Sequence, residues 1–214
     1  MSEQRKEKYQ SGTIGVEGAG TFFNIDFSIF NPISPSKEEV LGFVESNGYI
    51  SIEAEHYSRK TDQTYASWNI IEGLGRTGNS ITVLPVDIQS YSSPDDILIN
   101  SPLLEYDIYT FTEGEVEIDF NCIPSYPINA NYESRIAIAI DEGDPYILPS
   151  GGRRNVMENL MKIRAKLNIG KNGQHVLKVW MVDPGVILDK IIVNTGGMEE
   201  SYLGPPESVF NKSR

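Results

Sequence analysis

The longest β-like stretch of the sequence, Gly173 to Asn194, places the strongest constraint on the fold. Apolar residues occupy every second position from Leu177 to Met181, which is the pattern of a strand with one face turned inward. Asp183-Pro184-Gly185 follows and predicts a turn, because proline fixes φ and glycine accepts positive φ. We therefore expect two strands joined at a Pro-Gly corner.

The second half of this stretch, Val186 to Val193, is apolar except for Asp189 and Lys190. An acidic side chain inside an apolar run needs a partner, because burying an unpaired charge is costly. The sequence alone does not name that partner. Finding it is the main question that the stretch raises.

From Tyr49 onward the remaining segments also have the pattern of short strands separated by Gly, Pro and Asn turns, which predicts an all-β fold, an antiparallel β-sandwich of jelly-roll type. We expect hairpin turns at Gly114-Glu115 and at Lys171-Asn172-Gly173. The predicted strands are Tyr49–His56, Trp68–Ile71, Ser80–Pro85, Leu103–Phe111, Gly114–Cys122, Ser134–Asp141 and Met161–Ile169.

The first part of the chain differs from the rest and predicts a separate hairpin over residues 1–31, ahead of a domain over residues 32–214. Strands are expected at Gly12–Val16 and Phe22–Phe30, and the second places Phe23, Ile25, Phe27 and Ile29 on one face. An isolated hairpin is marginal in water, so this face is expected to be covered by the domain or by a second copy of the chain. Ser36 and Glu39 form a capping-box pattern, which predicts one short helix through about Glu45.

Composition and charge exclude several functions. The chain has 214 residues with a net charge of −12, which disfavours nucleic acid and anionic membrane surfaces as partners. Its single cysteine, Cys122, excludes an internal disulfide and is expected to be a buried thiol. No apolar run is long enough to span a bilayer, and the chain as given begins with no signal peptide.

Five motifs in order carry a resemblance to a known family: Ser51–Tyr57, Gly73–Gly78, Leu104–Asp107, Val182–Lys190 and Ser201–Glu207. Together they resemble the C-terminal domain of glycoside hydrolase family 115, the xylan α-1,2-glucuronidases. The resemblance implies a non-catalytic domain, because the catalytic barrel has no counterpart here. It also implies that residues 12–30 correspond to the last strands of a preceding sandwich, and that the parent enzyme is periplasmic or secreted.

A weaker resemblance is to carbohydrate-binding module families 6 and 35, on Ile52-Glu53-Ala54-Glu55 and on Gly173–Leu177 followed by Asp189. It implies a galactose-binding-like sandwich whose first and last strands pair around a structural calcium ion. Glu53 and Glu55 are two residues apart on a strand and so share a face, about 7 Å from each other. Calcium bound by Glu53, Glu55 and Asp189 is one interpretation; a solvated acidic patch, or pairing with Arg and Lys, is the other.

Sugar recognition requires exposed aromatic rings bordered by polar groups. The candidates are Trp180, on the same strand face as Lys178 and expected to be partly exposed, and the loop residues Tyr91, Tyr126 and Tyr132. The alternative is that Trp180 is covered by the C-terminal tail. Gly73–Gly78 lacks the Lys-Ser/Thr of a P-loop and is expected to be a loop ordered by Arg76, and both histidines are expected to be structural.

The sequence thus predicts an accessory β-sandwich domain with no catalytic residue. Its expected role is to support the architecture or assembly of a xylan-degrading α-glucuronidase, with that enzyme's catalytic domains as partners. The alternative is an independent carbohydrate-binding module that recognises xylan or glucuronoxylan. Self-association through the N-terminal hairpin is a further expectation.

Overall fold

The structure is a computed structural model that describes residues 9–30, 34–36, 39–128, 134–149 and 161–212. The chain separates into two compact units, Met1–Val40 and Leu41–Arg214, whereas the sequence placed the boundary after residue 31. The elements are β1 (Tyr9–Gly18), β2 (Thr21–Phe30), β3 (Gly42–Val44), β4 (Tyr49–Glu53), β5 (Arg59–Thr61), β6 (Ser67–Ile71), β7 (Ser80–Leu84), α1 (Pro94–Asn100), β8 (Leu103–Thr110), β9 (Gly114–Cys122), β10 (Ile136–Ile140), β11 (Tyr146–Leu148), β12 (Met161–Ile169), β13 (Gly173–Met181), β14 (Ile187–Asn194) and β15 (Phe210–Asn211).

The first unit is the predicted hairpin, with strands longer than expected. β1 pairs antiparallel with β2 along all ten residues of each strand. Ala19 and Gly20 make the turn, with φ of 51° and 76°. Left-handed backbone at both central positions matches the right-handed twist of the two strands, and glycine supplies one of these positions without strain.

The second unit consists of two sheets, which confirms the predicted β-sandwich. The strands of sheet I follow the order β11-β10-β13-β8-β3-β15, with β5 also paired to β8. Those of sheet II follow the order β12-β9-β14-β7-β6, with β4 also paired to β14. Pairing is antiparallel except between β3 and β8. Gly42 allows that parallel contact, because a Cβ there would lie 2.0 Å from the carbonyl oxygen of Asp107.

The core lies between the sheets and is built from the alternate positions that the sequence pattern indicated. Its fully buried side chains include Tyr106 of β8, Phe120 of β9 and Leu177 of β13. Cys122 is buried as expected, and burial raises the pKa of its thiol to about 12. Burial of this apolar surface is the main stabilising contribution to the fold.

The hairpins predicted at Gly114-Glu115 and at Lys171-Asn172-Gly173 are wrong, and the two strands joined at the Pro-Gly corner do not form a hairpin either. The pairs β8 and β9, β12 and β13, and β13 and β14 are adjacent in sequence, but each pair divides between sheet I and sheet II. The Asp183-Pro184-Gly185 corner therefore crosses the sandwich instead of reversing a hairpin. Asp183 fixes this crossing by accepting hydrogen bonds from the backbone N–H and the guanidinium of Arg135, at 2.8 to 2.9 Å.

The helix also lies elsewhere than predicted. Glu39 does accept a hydrogen bond from the backbone N–H of Ser36, but Gly42–Val44 is a strand of sheet I. The helix is α1, in the segment expected to be a loop. Its side-chain cap is Ser93, which accepts from the backbone N–H of Asp96, and proline follows at the first helical position.

Candidate functional site

The acidic residues of interest meet where β14 changes its partner. On one edge β14 pairs first with β7, through Ile187 and Leu188, and then with β4, through residues 190–194. The predicted pairing of the strand that carries Glu53 with the strand that carries Asp189 is therefore confirmed. On its other edge, the register with β9 shifts between Leu188 and Lys190, so Asp189 is the extra residue of a β-bulge.

The bulge explains how two consecutive charged residues fit within an apolar run. Before it, Leu188 belongs to the hydrophobic core; after it, Ile191 and Val193 do. A regular strand would place Leu188 and Ile191 on opposite faces, and the inserted residue restores the inward direction. Asp189 and Lys190 are 1% and 2% exposed.

Lys190 forms an ion pair with Glu53 beneath the C-terminal tail. Its ammonium lies 3.1 Å from Glu53 Oε1, which also accepts a hydrogen bond of 2.7 Å from the Thr77 hydroxyl. The ammonium donates to the carbonyls of Leu203 and Pro205 at 3.1 and 3.3 Å. Carbonyl groups of the C-terminal tail therefore accept hydrogen bonds from an ammonium that is buried in the sandwich.

Asp189 is bound by Arg76 of the glycine-rich loop Gly73–Gly78. Oδ1 accepts the Arg76 backbone N–H at 3.0 Å, and Oδ2 lies 3.7 Å from the guanidinium Nε. Burial raises the pKa of Asp189, although the Arg76 N–H and charge act in the opposite direction. The expected loop ordered by Arg76 is confirmed.

The glycines of that loop allow its close approach to the carboxylates. A Cβ on Gly75 would lie 2.8 Å from Asp189 Oδ1, and one on Gly78 would lie 2.9 Å from Glu55 Oε1. Glu55 Oε1 accepts the backbone N–H of Asn79 at 2.9 Å. Three acidic side chains and one loop therefore form a single buried network.

Cations of the chain itself already engage part of the donor set that calcium would need in this network. Calcium takes six to eight oxygens, whereas Glu53 and Asp189 already face Lys190 and Arg76. Glu53 Oε2 and Glu55 Oε2 are buried without a hydrogen-bond partner, and they are the two side-chain oxygens of the network that remain available to a cation. Among residues 9–30, 34–36, 39–128, 134–149 and 161–212, no group of three or more His, Cys, Asp or Glu is placed to hold a metal ion. The geometry favours the alternative interpretation, pairing with Arg and Lys, and calcium stays an untested prediction.

The two histidines occupy different environments. His175 is buried, with Nδ1 2.8 Å from Asp141 Oδ2 and Nε2 2.8 Å from the Lys171 carbonyl, which is a structural role. His56 is half-exposed, and its Nδ1 lies 2.8 Å from Glu207 Oε1. Burial alone would lower the pKa of His56, but the hydrogen bond and charge of Glu207 outweigh it, so the pKa is raised.

Of the four predicted sugar-stacking residues, two are buried. Trp180 is 3% exposed, so the expectation of partial exposure is wrong, and Tyr91 is 6% exposed with its hydroxyl bonded to the Asn100 carbonyl. Neither presents a ring face to solvent. Tyr126 is exposed as expected, and Tyr132 lies outside the described residues.

Tyr65, which was not among the residues predicted to stack on sugars, is 82% exposed and lines a groove of about 530 Å³. Gln63, Gln89, Tyr91 and Asn100 are among the residues that line this groove. The Asn100 amide donates to the Asp96 carboxylate at 2.7 Å. Gln63 is held by a hydrogen bond from its Nε2 to the Ser101 carbonyl. The available signal was a tyrosine directly after the polar residues Asp62–Thr64, outside any apolar alternation.

A second groove, of about 360 Å³, lies beside β3, β8 and β15 and is lined in part by Tyr57, Asp107 and Phe210. Its main acidic group is already engaged, because Arg59 binds both oxygens of Asp107 at 2.8 Å. Phe210 packs on Phe43, with ring centroids 4.7 Å apart. This groove is smaller than the groove at Tyr65, and its Phe210 ring is 37% exposed against 82% for Tyr65.

The fold and these grooves define a two-sheet β-sandwich domain with loop-borne polar groups and an aromatic rim. The described part of the chain contains no helix long and apolar enough to cross a membrane. A family profile described as the Glycosyl hydrolase family 115 C-terminal domain matches residues 42–207. The chain therefore belongs to this family, which is an accessory domain of these hydrolases and not their catalytic domain.

Comparison with solved structures gives similar architectures at low identity. A family GH115 4-O-methyl-α-glucuronidase with specificity for decorated arabinogalactans is 20% identical with a TM-score of 0.46, over 64% of this chain and 17% of that enzyme. The C-terminal family 6 carbohydrate-binding module of a laminarinase from Zobellia galactanivorans is 13% identical with a TM-score of 0.46, over 68% and 98%. A family 6 module from Clostridium cellulolyticum in complex with xylose is 17% identical with a TM-score of 0.44, over 69% and 98%. No curated protein sequence matches the chain.

Proposed function

We propose that this accessory domain binds a plant cell-wall polysaccharide in the groove at Tyr65, as part of a secreted or periplasmic α-glucuronidase. The observation that carries the proposal is an aromatic ring, 82% exposed, at the rim of a groove lined by amide side chains. A free ring of this kind offers its face to the C–H groups of a pyranose. Amides beside the ring supply both donors and acceptors for sugar hydroxyls.

The position of the groove agrees with this use. Tyr65 and Gln63 lie in the turn between β5 and β6, while Gln89 precedes α1 and Asn100 ends it. Loops on a rigid sandwich can hold such groups in place without disturbing the core. The Tyr91 hydroxyl bonds the Asn100 carbonyl at 2.9 Å and so fixes one side of the groove.

Xylan and glucuronoxylan are the first polysaccharides to test. The full chain is run in native gels that contain xylan, glucuronoxylan, arabinogalactan or no polysaccharide. We expect retardation by at least one polymer, and Tyr65→Ala to weaken binding about fivefold, because one stacked ring contributes on the order of 1 kcal/mol.

Tyr146→Ala is the matched control, because Tyr146 is 58% exposed on β11 and is not part of the groove. Tyr126→Ala tests the loop residue that the sequence singled out. If all the polymers leave the wild-type chain unretarded, or if Tyr65→Ala and Tyr146→Ala behave alike, the groove is not a polysaccharide site.

A role in assembly of the parent enzyme is the second candidate, and α1 provides the observation that favours it. Leu98 and Ile99 are 51% and 71% exposed on this helix. Adjacent exposed apolar side chains are typical of a contact surface. The test is size-exclusion chromatography of the chain mixed with the catalytic part of a family GH115 enzyme; co-elution that Ile99→Glu abolishes would support assembly.

A further inference from the structure

Four aspartates stand beside the lining of the groove at Tyr65. Two of them directly precede lining residues, and the other two lie in the first turn of α1, which ends at the lining residue Asn100. None of the described residues that line the groove is basic. In chain order, the aspartates are Asp62, Asp87, Asp95 and Asp96.

The basic residues near these loops are already engaged. The Lys60 ammonium lies 2.8 Å from the Asp62 carboxylate and donates to a backbone carbonyl of β6 at 3.0 Å. Arg76 is the only Lys or Arg from residue 61 to residue 100, and it belongs to the buried carboxylate network. The other three aspartates form no ion pair within the described part of the chain. Three negative charges thus remain uncompensated at the groove.

Asp96 acts on two groups of the groove wall. Its Oδ1 accepts a hydrogen bond of 2.7 Å from the side-chain amide of Asn100, one helical turn away. Burial raises the pKa of the Tyr91 hydroxyl, and the charge of Asp96 raises this pKa further. Asn100 and Tyr91 both line the groove. The negative potential of Asp96 therefore reaches the surface that a ligand would contact.

Two amides of the lining present acceptors rather than donors. Gln63 uses Nε2 to donate to the Ser101 carbonyl at 3.3 Å, and Asn100 uses Nδ2 to donate to Asp96. The side-chain oxygens of Gln63 and Asn100 accept no hydrogen bond from a described residue. A sugar hydroxyl can donate to such an oxygen, whereas a carboxylate only accepts. The hydrogen-bonding groups and the charges of the groove therefore disfavour the same kind of ligand.

We propose that the groove selects neutral sugar residues and excludes uronic acids. This inference rests on the proposed function and defines the class of sugar that the groove takes. A uronate held in the groove lies within the range of the Asp96 charge, because Asp96 bonds a lining residue directly and the Debye length is about 8 Å at physiological salt. The domain then attaches its enzyme to neutral stretches of a polymer and leaves the acidic side groups free for the catalytic domains.

Two oligosaccharides that differ in one charge test this selection. The first is a xylotetraose, or a galactotetraose if arabinogalactan is the polymer that retards the chain, that carries one glucuronic acid. The second is the same compound with the carboxyl group reduced to the alcohol. The full chain is titrated with each by calorimetry at about 0.1 M salt. We expect the neutral compound to bind about fivefold more tightly, because a partly screened like charge at about 6 Å has an effect of this order near a protein surface.

Two triple variants separate the charges of the groove from the net charge of the chain, because each removes three negative charges. The groove variant is Asp87→Asn/Asp95→Asn/Asp96→Asn, and the control variant is Glu113→Gln/Glu142→Gln/Asp144→Asn. We expect the groove variant to reduce the preference for the neutral compound to about twofold, since the acceptor amides remain. The control variant should keep the wild-type preference, and Tyr65→Ala should weaken the binding of both compounds.

The control residues are exposed and lie far from the groove. The Tyr91 N–H bonds the carbonyl of Val182, just past one end of β13. The last residue of β10, two positions before Glu142, pairs with Leu177, which is five residues or about 17 Å back along the chain. Glu113 follows β8, whose eight residues extend about 26 Å from the end nearest to α1. Both separations exceed the Debye length of about 10 Å at 0.1 M salt.

Salt gives a second readout that needs no substitution. Raising the concentration to about 1 M shortens the Debye length to about 3 Å, so the preference of the wild-type chain should also fall to about twofold. Equal affinity for the two compounds, or tighter binding of the acidic one, overturns the selection of neutral sugars and leaves the proposed function intact. A preference that both triple variants reduce alike also overturns it, because the net charge then explains the effect. A chain that no polysaccharide retards in the gels overturns the proposed function and this inference with it.

Discussion

Replacing Lys190 with methionine tests whether internal cations hold the junction of β4 and β14 together. The Lys190 ammonium lies 3.1 Å from Glu53 Oε1, and both side chains are buried. At an effective dielectric constant of about 20, this separation corresponds to about 5 kcal/mol of attraction. Much of that attraction offsets the cost of removing both charges from water.

Methionine is close in shape to the lysine stem and removes the ammonium, with its charge and its hydrogen bonds to the Leu203 and Pro205 carbonyls. Glu53 is then a buried carboxylate with no cation, and its Oε2 already has no partner. Removing one partner of a buried ion pair costs about 3 to 5 kcal/mol. For a chain of this size we expect the melting temperature to fall by roughly 10 °C.

The assay is thermal unfolding of wild type, Lys190→Met, Glu53→Gln and the double variant, followed by circular dichroism. The double variant should be more stable than the sum of the single effects implies, because it removes the unpaired charge together with its partner. Wild type is also melted with a chelator, and its midpoint should not move if Lys190 and Arg76 neutralise the carboxylates. A loss below about 1 kcal/mol in Lys190→Met, or strictly additive effects, would refute the reasoning.

Two further substitutions test single contacts. Glu45 is 5% exposed and accepts four hydrogen bonds, including those from the hydroxyls of Thr112 and Thr195 at 2.7 and 2.8 Å. We therefore expect Glu45→Gln to lower the free energy of unfolding in urea by about 2 kcal/mol. An unchanged urea midpoint would contradict this prediction. His56 has a raised pKa in the folded chain because its contact with Glu207 outweighs burial. Its stabilising effect is therefore full below its unfolded pKa of about 6.5 and is lost as the pH rises through the folded value, so His56→Gln should destabilise the chain at about pH 5.5 and have little effect at about pH 8.5. A difference that is the same at both pH values would show that protonation is not involved.

The carboxylate network shows how far sequence reasoning reached. An acidic residue in an apolar run requires a partner, and this requirement was enough to single out Asp189. The strand pairing implied by the resemblance to carbohydrate-binding modules predicted that Glu53 and Glu55 lie nearby. The identity of the neutralising cations could not be predicted, because Arg76 and Lys190 reach the carboxylates through a strand pairing and a bulge that no local pattern encodes.

The aromatic residues show the opposite outcome. Trp180 and Lys178 are two positions apart and point to the same face of their strand, which favoured exposure of Trp180, yet Trp180 is buried. The alternation of side chains along a strand assigns a residue to one face of the sheet, but it does not say what covers that face. Tyr65 lies in a turn with no periodicity, and its exposure depends on how that turn stands relative to α1 and the preceding loop.

The sequence by itself determined that the chain is all-β, where most long strands begin and end, and that a separate amphipathic hairpin precedes the domain. These follow from period-two alternation and from turn residues, which act over a few neighbouring positions. The tertiary structure alone decided which sheet each strand joins, so that β13 and β14 lie in different sheets although only the Pro-Gly corner separates them. A hairpin and a crossing between sheets use the same turn residues, and only the packing of distant strands distinguishes them. The acidic residue at position 189 is accommodated by that packing, because the exchange of β7 for β4 beside the bulge creates the space in which Arg76 reaches it.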